Sequence, residues 1–214
     1  KEKIFDNIWI QPASGDAGGS LGAALYCWYD DKKNLRKISK QDDMKGSYLG
    51  PEYSQDQIEK DLKDLGAVFK TLSEEHLIEK VSSDLANNDA IGWFQGRMEF
   101  GPRALGSRSI IGNPQSSEMQ KNLNLKVKYR ESFRPFAPSV LKEDLSEWFD
   151  MDCESPYMLL VAKINQNKQI EMTRDEKNLF GIDKLNIRRS SVPAVTHVDY
   201  SARIQTVTKE KNER

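Results

Sequence analysis

Three arginines, Arg97, Arg103 and Arg108, are interleaved with Gly96, Gly101 and Gly106 in the stretch from Gly92 to Arg108. A guanidinium is a permanently charged, planar fork of donors suited to phosphate or carboxylate. Glycine allows backbone conformations and approaches that a side chain blocks. The combination describes a loop whose backbone N–H groups reach an anion while the arginines neutralise it. The plainer alternative is a turn-rich connection with solvated arginines. A second basic set, Lys128, Arg130 and Arg134, lies beside Phe133 and Phe136. These three share parity, so wherever the segment is extended they point to one face. Pro135 and Pro138 keep it out of a helix. From Arg97 to Arg134 eight Lys/Arg stand against three Glu, within a chain whose formal net charge is −1. A local surplus in a neutral chain fits a small anionic ligand, and the whole-molecule field of a nucleic-acid binder is absent. Asp16, in a Gly-Asp-Ala-Gly turn, either caps the following helix or binds a metal or phosphate; the residue pattern alone favours the cap. Near the C-terminal end Thr196, His197, Arg203 and Gln205 are further groups able to meet a ligand, although a lone histidine is more often structural.

The elements that must position these residues alternate between helix and strand signals. Leu21, Leu25 and Trp28 mark the apolar face of a helix beginning near Ala17, after a strand end at 7–10. Residues 30–45 are charged and aperiodic, a boundary region. Ser54 with Gln57 has capping-box spacing ahead of the stripe Ile58, Leu62, Leu65. Ala67 to Leu72 reads as a short strand. Ser73 opens a helix with Leu77, Ile78, Val81 and Leu85 inward, and His76 is a surface histidine. Residues 90–94 form a strand leading into the glycine–arginine loop, and 109–112 form a second one. Ser117 with Gln120 predicts another capped helix through Leu125. Lys142 to Phe149 predicts a helix, and residues 155–162 an apolar strand preceded by the hydroxyl of Ser155. Residues 165–191 read as a variable loop with helix near 176–180, and 202–207 alternate as a strand. The expectation is an α/β (α+β) domain, with a twisted mixed sheet flanked by helices and its basic loops at one concave face.

At 214 residues the chain has room for one large domain, or one domain and part of another. Its two cysteines, Cys27 and Cys153, fit no metal or redox spacing, so reduced, buried thiols of a cytoplasmic protein are expected. No apolar run reaches membrane-spanning length and the first residues lack a signal-peptide core. An initiator Met is also missing, consistent with a start inside a longer protein.

Four motifs in order, GWFQGRMEFGPRALGSRSI, NLKVKYRESFRPFAPSVL, SPYM and PAVTHVDYSARIQTV, resemble the C-terminal part of the O-carbamoyltransferases of nodulation and antibiotic tailoring. The resemblance spans roughly residues 8–207. It implies that 1–45 are the end of an actin-like, ATPase-type carbamoyl-transfer domain. It further implies that 46–214 are a domain similar to threonylcarbamoyl-adenylate synthase, short at its C-terminus. By this resemblance ATP with Mg2+ and carbamoyl phosphate give carbamoyl adenylate, whose carbamoyl group passes to a hydroxyl of a small acceptor on the other domain. Lys128, Arg130 and Arg134 match the family's basic motif and are the first choice for the phosphates, with Arg97, Arg103 and Arg108 second. Ser155 and Arg203 match positions near the nucleotide and carbamoyl site, and Thr196 and His197 join them. Asp16 matches an aspartate completing an iron site, which reverses the capping preference. The family's upstream histidine pair is absent, since His76 and His197 are the only two histidines. The chain stops at Arg214 before a segment the family carries, and Tyr200 replaces a small residue. The expectation is a piece that cannot transfer carbamoyl groups alone. An RNA-binding module and an idle nucleotide-binding module are the competing readings.

Overall fold

A computed structural model describes residues 4–6 and 8–210. Its elements are α1 (Asp16–Tyr26), α2 (Gln55–Asp64), α3 (Glu74–Ala86), β1 (Ile91–Phe94), β2 (Arg108–Ile111), α4 (Met119–Lys126), β3 (Ser139–Leu141), α5 (Leu145–Trp148), β4 (Leu160–Lys163), α6 (Arg174–Asn178), α7 (Ile182–Leu185) and β5 (Ser201–Val207). The expected mixed α/β class is what is seen, but the strands form two small sheets. β1 and β2 make an antiparallel pair, and β5 lies between a parallel β3 and an antiparallel β4.

β5 is the pivot because both its edges are hydrogen-bonded and both its faces are covered. Ala202 and Ile204 enter a core with Leu145, Phe149, Ile164, Val192 and Val195. Full burial of residues such as Ile164 and Ile204 contributes about 1.5–3 kcal/mol each. The opposite face carries Ser201, Arg203 and Gln205, and β-strand alternation puts them in one row. A smaller cluster of Met119, Leu123 and Ala194 is bridged to the first by Phe136.

Several expectations change. Residues 67–72 pair with no strand, and Val68 and Leu72 are exposed. Residues 8–10 are exposed coil, and Asn7 lies outside the described residues, as do Lys1–Lys3 and 211–214. The apolar face of α1 is uncovered, since Leu25 and Trp28 are exposed. Ser54 and Ser73 do cap α2 and α3, accepting from the N–H groups of Gln57 and His76. Ser117 does not cap α4, and Gln120 instead reaches the carbonyls of Phe133 and Arg134. The apolar run at 155–162 becomes strand only from Leu160, because Ser155 turns inward. The cysteines are free, but Cys27 and Cys153 are exposed rather than buried. Among the described residues, no helix is long and apolar enough to cross a membrane.

Candidate functional site

The glycine–arginine loop runs between β1 and β2, whose register pairs Phe94 with Arg108. Its anion is internal. Glu99, only 7% exposed, accepts hydrogen bonds at Oε1 from the backbone N–H groups of Leu105 (2.7 Å), Ser107 (2.8 Å) and Arg108 (3.2 Å). The N–H cradle that the sequence suggested for a ligand is thus filled by the protein's own carboxylate. The Arg108 guanidinium is equally committed. It donates to the carbonyls of Gln95 (2.8 Å), Ser107 (2.8 Å) and Gly96 (3.1 Å), and lies 3.4 Å over the Phe94 ring. Arg97 is on the surface, bonded to Gly50 O (3.0 Å) and facing Glu52 at 3.5 Å.

Residues 42–51 brace the loop from outside. Ser47 O accepts from Phe100 N (2.7 Å), Pro51 O from Met98 N (3.0 Å), and the Tyr48 hydroxyl donates to Leu105 O (2.8 Å). Lys45, Gly46 and Ser47 are consecutively left-handed, a costly run for non-glycine residues that the surroundings hold in place. The Tyr157 hydroxyl donates to Asp42, and burial followed by that carboxylate pushes its pKa up. Gly101, at φ +120, sits where a Cβ would lie 3.1 Å from the fully buried Ala13 methyl, so the turn before α1 packs on the loop.

What remains of the loop's charge is Arg103. It is half-buried, and its Nε is buried with no hydrogen-bond partner. Across from it, Arg203 on β5 is also half-buried, and its pKa is lowered by burial and then by Arg103. Gln205, next in the same row, donates to Leu105 O (2.8 Å), clamping the loop onto this face of β5. Two neighbouring guanidinium groups lose stability from burial and mutual repulsion unless an anion joins them. This pair is the candidate anion site.

The basic segment is organised by Asn124, which is fully buried at the end of α4. Its Nδ2 donates to the carbonyls of Ser132 (3.0 Å) and Arg134 (2.8 Å), and its Oδ1 accepts from Arg130 Nε (2.6 Å). The chain is looped here, not extended, with Tyr129 at φ +48, so shared parity does not align the cations. Lys128 is exposed, Arg134 pairs with Glu131 at 3.3 Å in solvent, and Arg130 stacks 5.1 Å from the Phe136 centroid.

A cleft of about 640 Å³ opens between this segment and residues 185–198, lined by Lys121, Phe133, Arg188, Thr196 and His197 among others. Thr196 spends its hydroxyl on Val192 O (2.7 Å) and Ser190 Oγ (2.6 Å). Ser155 is likewise internal, donating to Ile204 O (2.8 Å) and accepting from Leu160 N (3.4 Å). His197 faces Ser201 Oγ through Nδ1 at 3.1 Å, and Ser201 Oγ lies 2.6 Å from Asp199 Oδ1. Burial lowers the His197 pKa, Asp199 opposes, and Arg203 lowers it further.

The carbamoyltransferase C-terminus family signature matches residues 82–214. The chain belongs to that family. It is 56% identical, over its whole length, to an uncharacterized protein of Synechocystis sp., of which it covers 35%. It is 36% identical over 98% of its length to the nodulation protein NolO of Bradyrhizobium diazoefficiens, covering 34% of it. With the 3'-hydroxymethylcephem-O-carbamoyltransferase of Streptomyces clavuligerus it shares 33% identity over 97% of its length and 33% of that enzyme. The chain therefore spans about a third of the length of these curated relatives.

In this carbamoyltransferase-family chain Asp16 is exposed at the start of α1. Among the described residues no three His, Cys, Asp or Glu side chains gather as a metal cage, at Asp16 or elsewhere. Sequence reasoning missed Glu99 and Asn124. Glu99 is the lone carboxylate among the loop's arginines, which signals an internal anion. Asn124 sits between two leucines, and a strict apolar pattern would bury Leu125, which is exposed.

Proposed function

We propose that this chain supplies the carbamoyl-activating part of an O-carbamoyltransferase. The observation that carries the reading is the adjacent Arg103 and Arg203, of which Arg103 holds a buried, unpartnered Nε. Carbamoyl phosphate places its phosphate between them. ATP lies in the neighbouring cleft, whose volume falls in the range of small-molecule sites. Lys121 and Arg188 line its wall, and the exposed Lys128 and Arg134 add to the field over its mouth. A carbamoyl oxygen becomes bonded to Pα of ATP, with one water consumed and phosphate and pyrophosphate released. The arginines offset the repulsion between two polyanions and hold them in line. Mg2+ arrives with the nucleotide phosphates, as that ion needs few protein ligands. The single carboxylate of Asp16 is not by itself an iron site.

Residues 1–45 belong, in this reading, to the neighbouring carbamoyl-transfer domain. The exposed Ile8, Trp9, Tyr26, Trp28, Leu35 and Ile38 support that assignment, because isolated domains rarely leave so much apolar surface uncovered. The free thiols fit a reducing, cytoplasmic setting. The named relatives are consistent with a small hydroxyl-bearing acceptor. The test is pyrophosphate release by the purified chain. It is expected only when ATP and carbamoyl phosphate are both present, and to fall at least about tenfold in Arg203→Met. No release above the ATP-only control overturns adenylate formation.

A further inference from the structure

His197 holds a fixed tautomer. A hydroxyl has one proton to donate, and Ser201 Oγ lies 2.6 Å from the Asp199 carboxylate, which also accepts from Ser201 N at 3.1 Å. The stronger, charged acceptor takes that proton. The 3.1 Å contact between Ser201 Oγ and His197 Nδ1 then has to be donated by the imidazole. The His197 backbone N–H also bonds Ser201 O (2.8 Å), so His197 is held to the first residue of β5 by one backbone and one ring bond. With the proton on Nδ1, the neutral ring carries a lone pair on Nε2. Nε2 has no partner among the described residues, and the ring lines the cleft. The lowered pKa of His197 agrees with a neutral ring.

The ring that carries this lone pair is bonded to Ser201, a neighbour of Arg203 on β5, and the Arg203 charge acts on it. Ser201 and Arg203 are two residues apart in one strand, on the same face, a separation of roughly 7 Å. In carbamoyl phosphate the amino nitrogen and the phosphorus are separated only by a carbon and an oxygen. We propose that His197 Nε2 accepts a hydrogen bond from the amino group of the carbamoyl donor while Arg103 and Arg203 hold its phosphate, making His197 the residue that selects carbamoyl over acyl phosphates. The proposal rests on the reading that carbamoyl phosphate binds at the arginine pair. Acetyl phosphate has the same shape with a methyl in place of the amino group, and it would leave the lone pair facing a C–H. Asp199 and Ser201 are positioning residues: they set which nitrogen is bare.

Two measurements test it. In long-range 1H–15N spectra of the 15N-labelled chain, His76→Gln leaves a single histidine to assign. The expected pattern is a protonated Nδ1 and a bare Nε2, with the Nε2 resonance moving on addition of carbamoyl phosphate and unmoved by acetyl phosphate. Calorimetry is expected to give a preference for carbamoyl over acetyl phosphate of about ten- to a hundredfold, the scale of leaving one polar partner unmade. That preference collapses in His197→Phe and shrinks in Ser201→Ala, where the tautomer is released. A protonated Nε2 in the wild type, or equal binding of the two phosphates, overturns the role of His197 while leaving the arginine site intact. If neither phosphate binds, the arginine reading falls, and this one with it.

Discussion

Replacing Glu99 tests whether the glycine–arginine loop is built around an internal anion. Its Oε1 accepts from three backbone N–H groups, and Leu105 and Ser107 belong to buried residues. In Glu99→Ala those donors lose their acceptor. A buried unsatisfied donor costs about 1–3 kcal/mol. Two such donors, with a smaller part for the half-buried Arg108 N–H, give a loss of about 3–5 kcal/mol. Glu99→Gln keeps an oxygen but not the charge. Bonds to charged groups exceed neutral ones by about 1 kcal/mol each, so the expected loss is about 1–3 kcal/mol. The assay is urea denaturation followed by circular dichroism with linear extrapolation. In melting temperature the losses correspond to roughly 2–4 °C per kcal/mol for a chain of this size. The order wild type, Glu99→Gln, Glu99→Ala is required. Both variants within about 0.5 kcal/mol of wild type would refute the reasoning.

Arg103→Met removes a buried unpartnered Nε and the repulsion on Arg203, so its melting temperature should equal or exceed that of the wild type while phosphate affinity drops; a clear loss of stability contradicts this. His197 binds protons less readily folded than at its ordinary pKa of 6.5, so the unfolded state takes up more protons near that pH. Stability should be fully present above about pH 6.5 and decline as pH falls toward the folded pKa; His197→Gln should flatten that part of the curve, and an unchanged slope argues against the assignment. Asn124→Ala leaves the Ser132 carbonyl and the Arg130 Nε without their partner, while Gln120 still reaches the Arg134 carbonyl, and about 2–4 kcal/mol of stability should go, with faster proteolysis at 128–134; a loss below about 1 kcal/mol would mean that water replaces the amide.

The family, the helix caps at Ser54 and Ser73, and the strands around the loop were legible because each rests on local spacing. The division into two sheets was not. It depends on β5 choosing β3 and β4 as neighbours, and those pairings join residues 38 to 66 positions apart. The arginines show the same limit. Their types and glycine spacing pointed to an anion, yet nothing local revealed that Glu99 takes the backbone donors or that carbonyl groups consume Arg108. Arg203 emerged as a partner of Arg103 only when Gln205 clamped the loop over β5. The parity argument for Lys128, Arg130 and Arg134 failed because one left-handed residue, Tyr129, and one buried amide, Asn124, loop the chain.

The most direct test of the arginine pair as the carbamoyl phosphate site is calorimetric titration of carbamoyl phosphate into the wild type, Arg203→Met and Lys128→Ala. The arrangement predicts that Lys128→Ala binds within a few-fold of the wild type and that Arg203→Met binds at least about tenfold more weakly, a loss of about 1.4 kcal/mol or more. Full affinity in Arg203→Met together with lost affinity in Lys128→Ala would contradict the account and return the site to the basic segment.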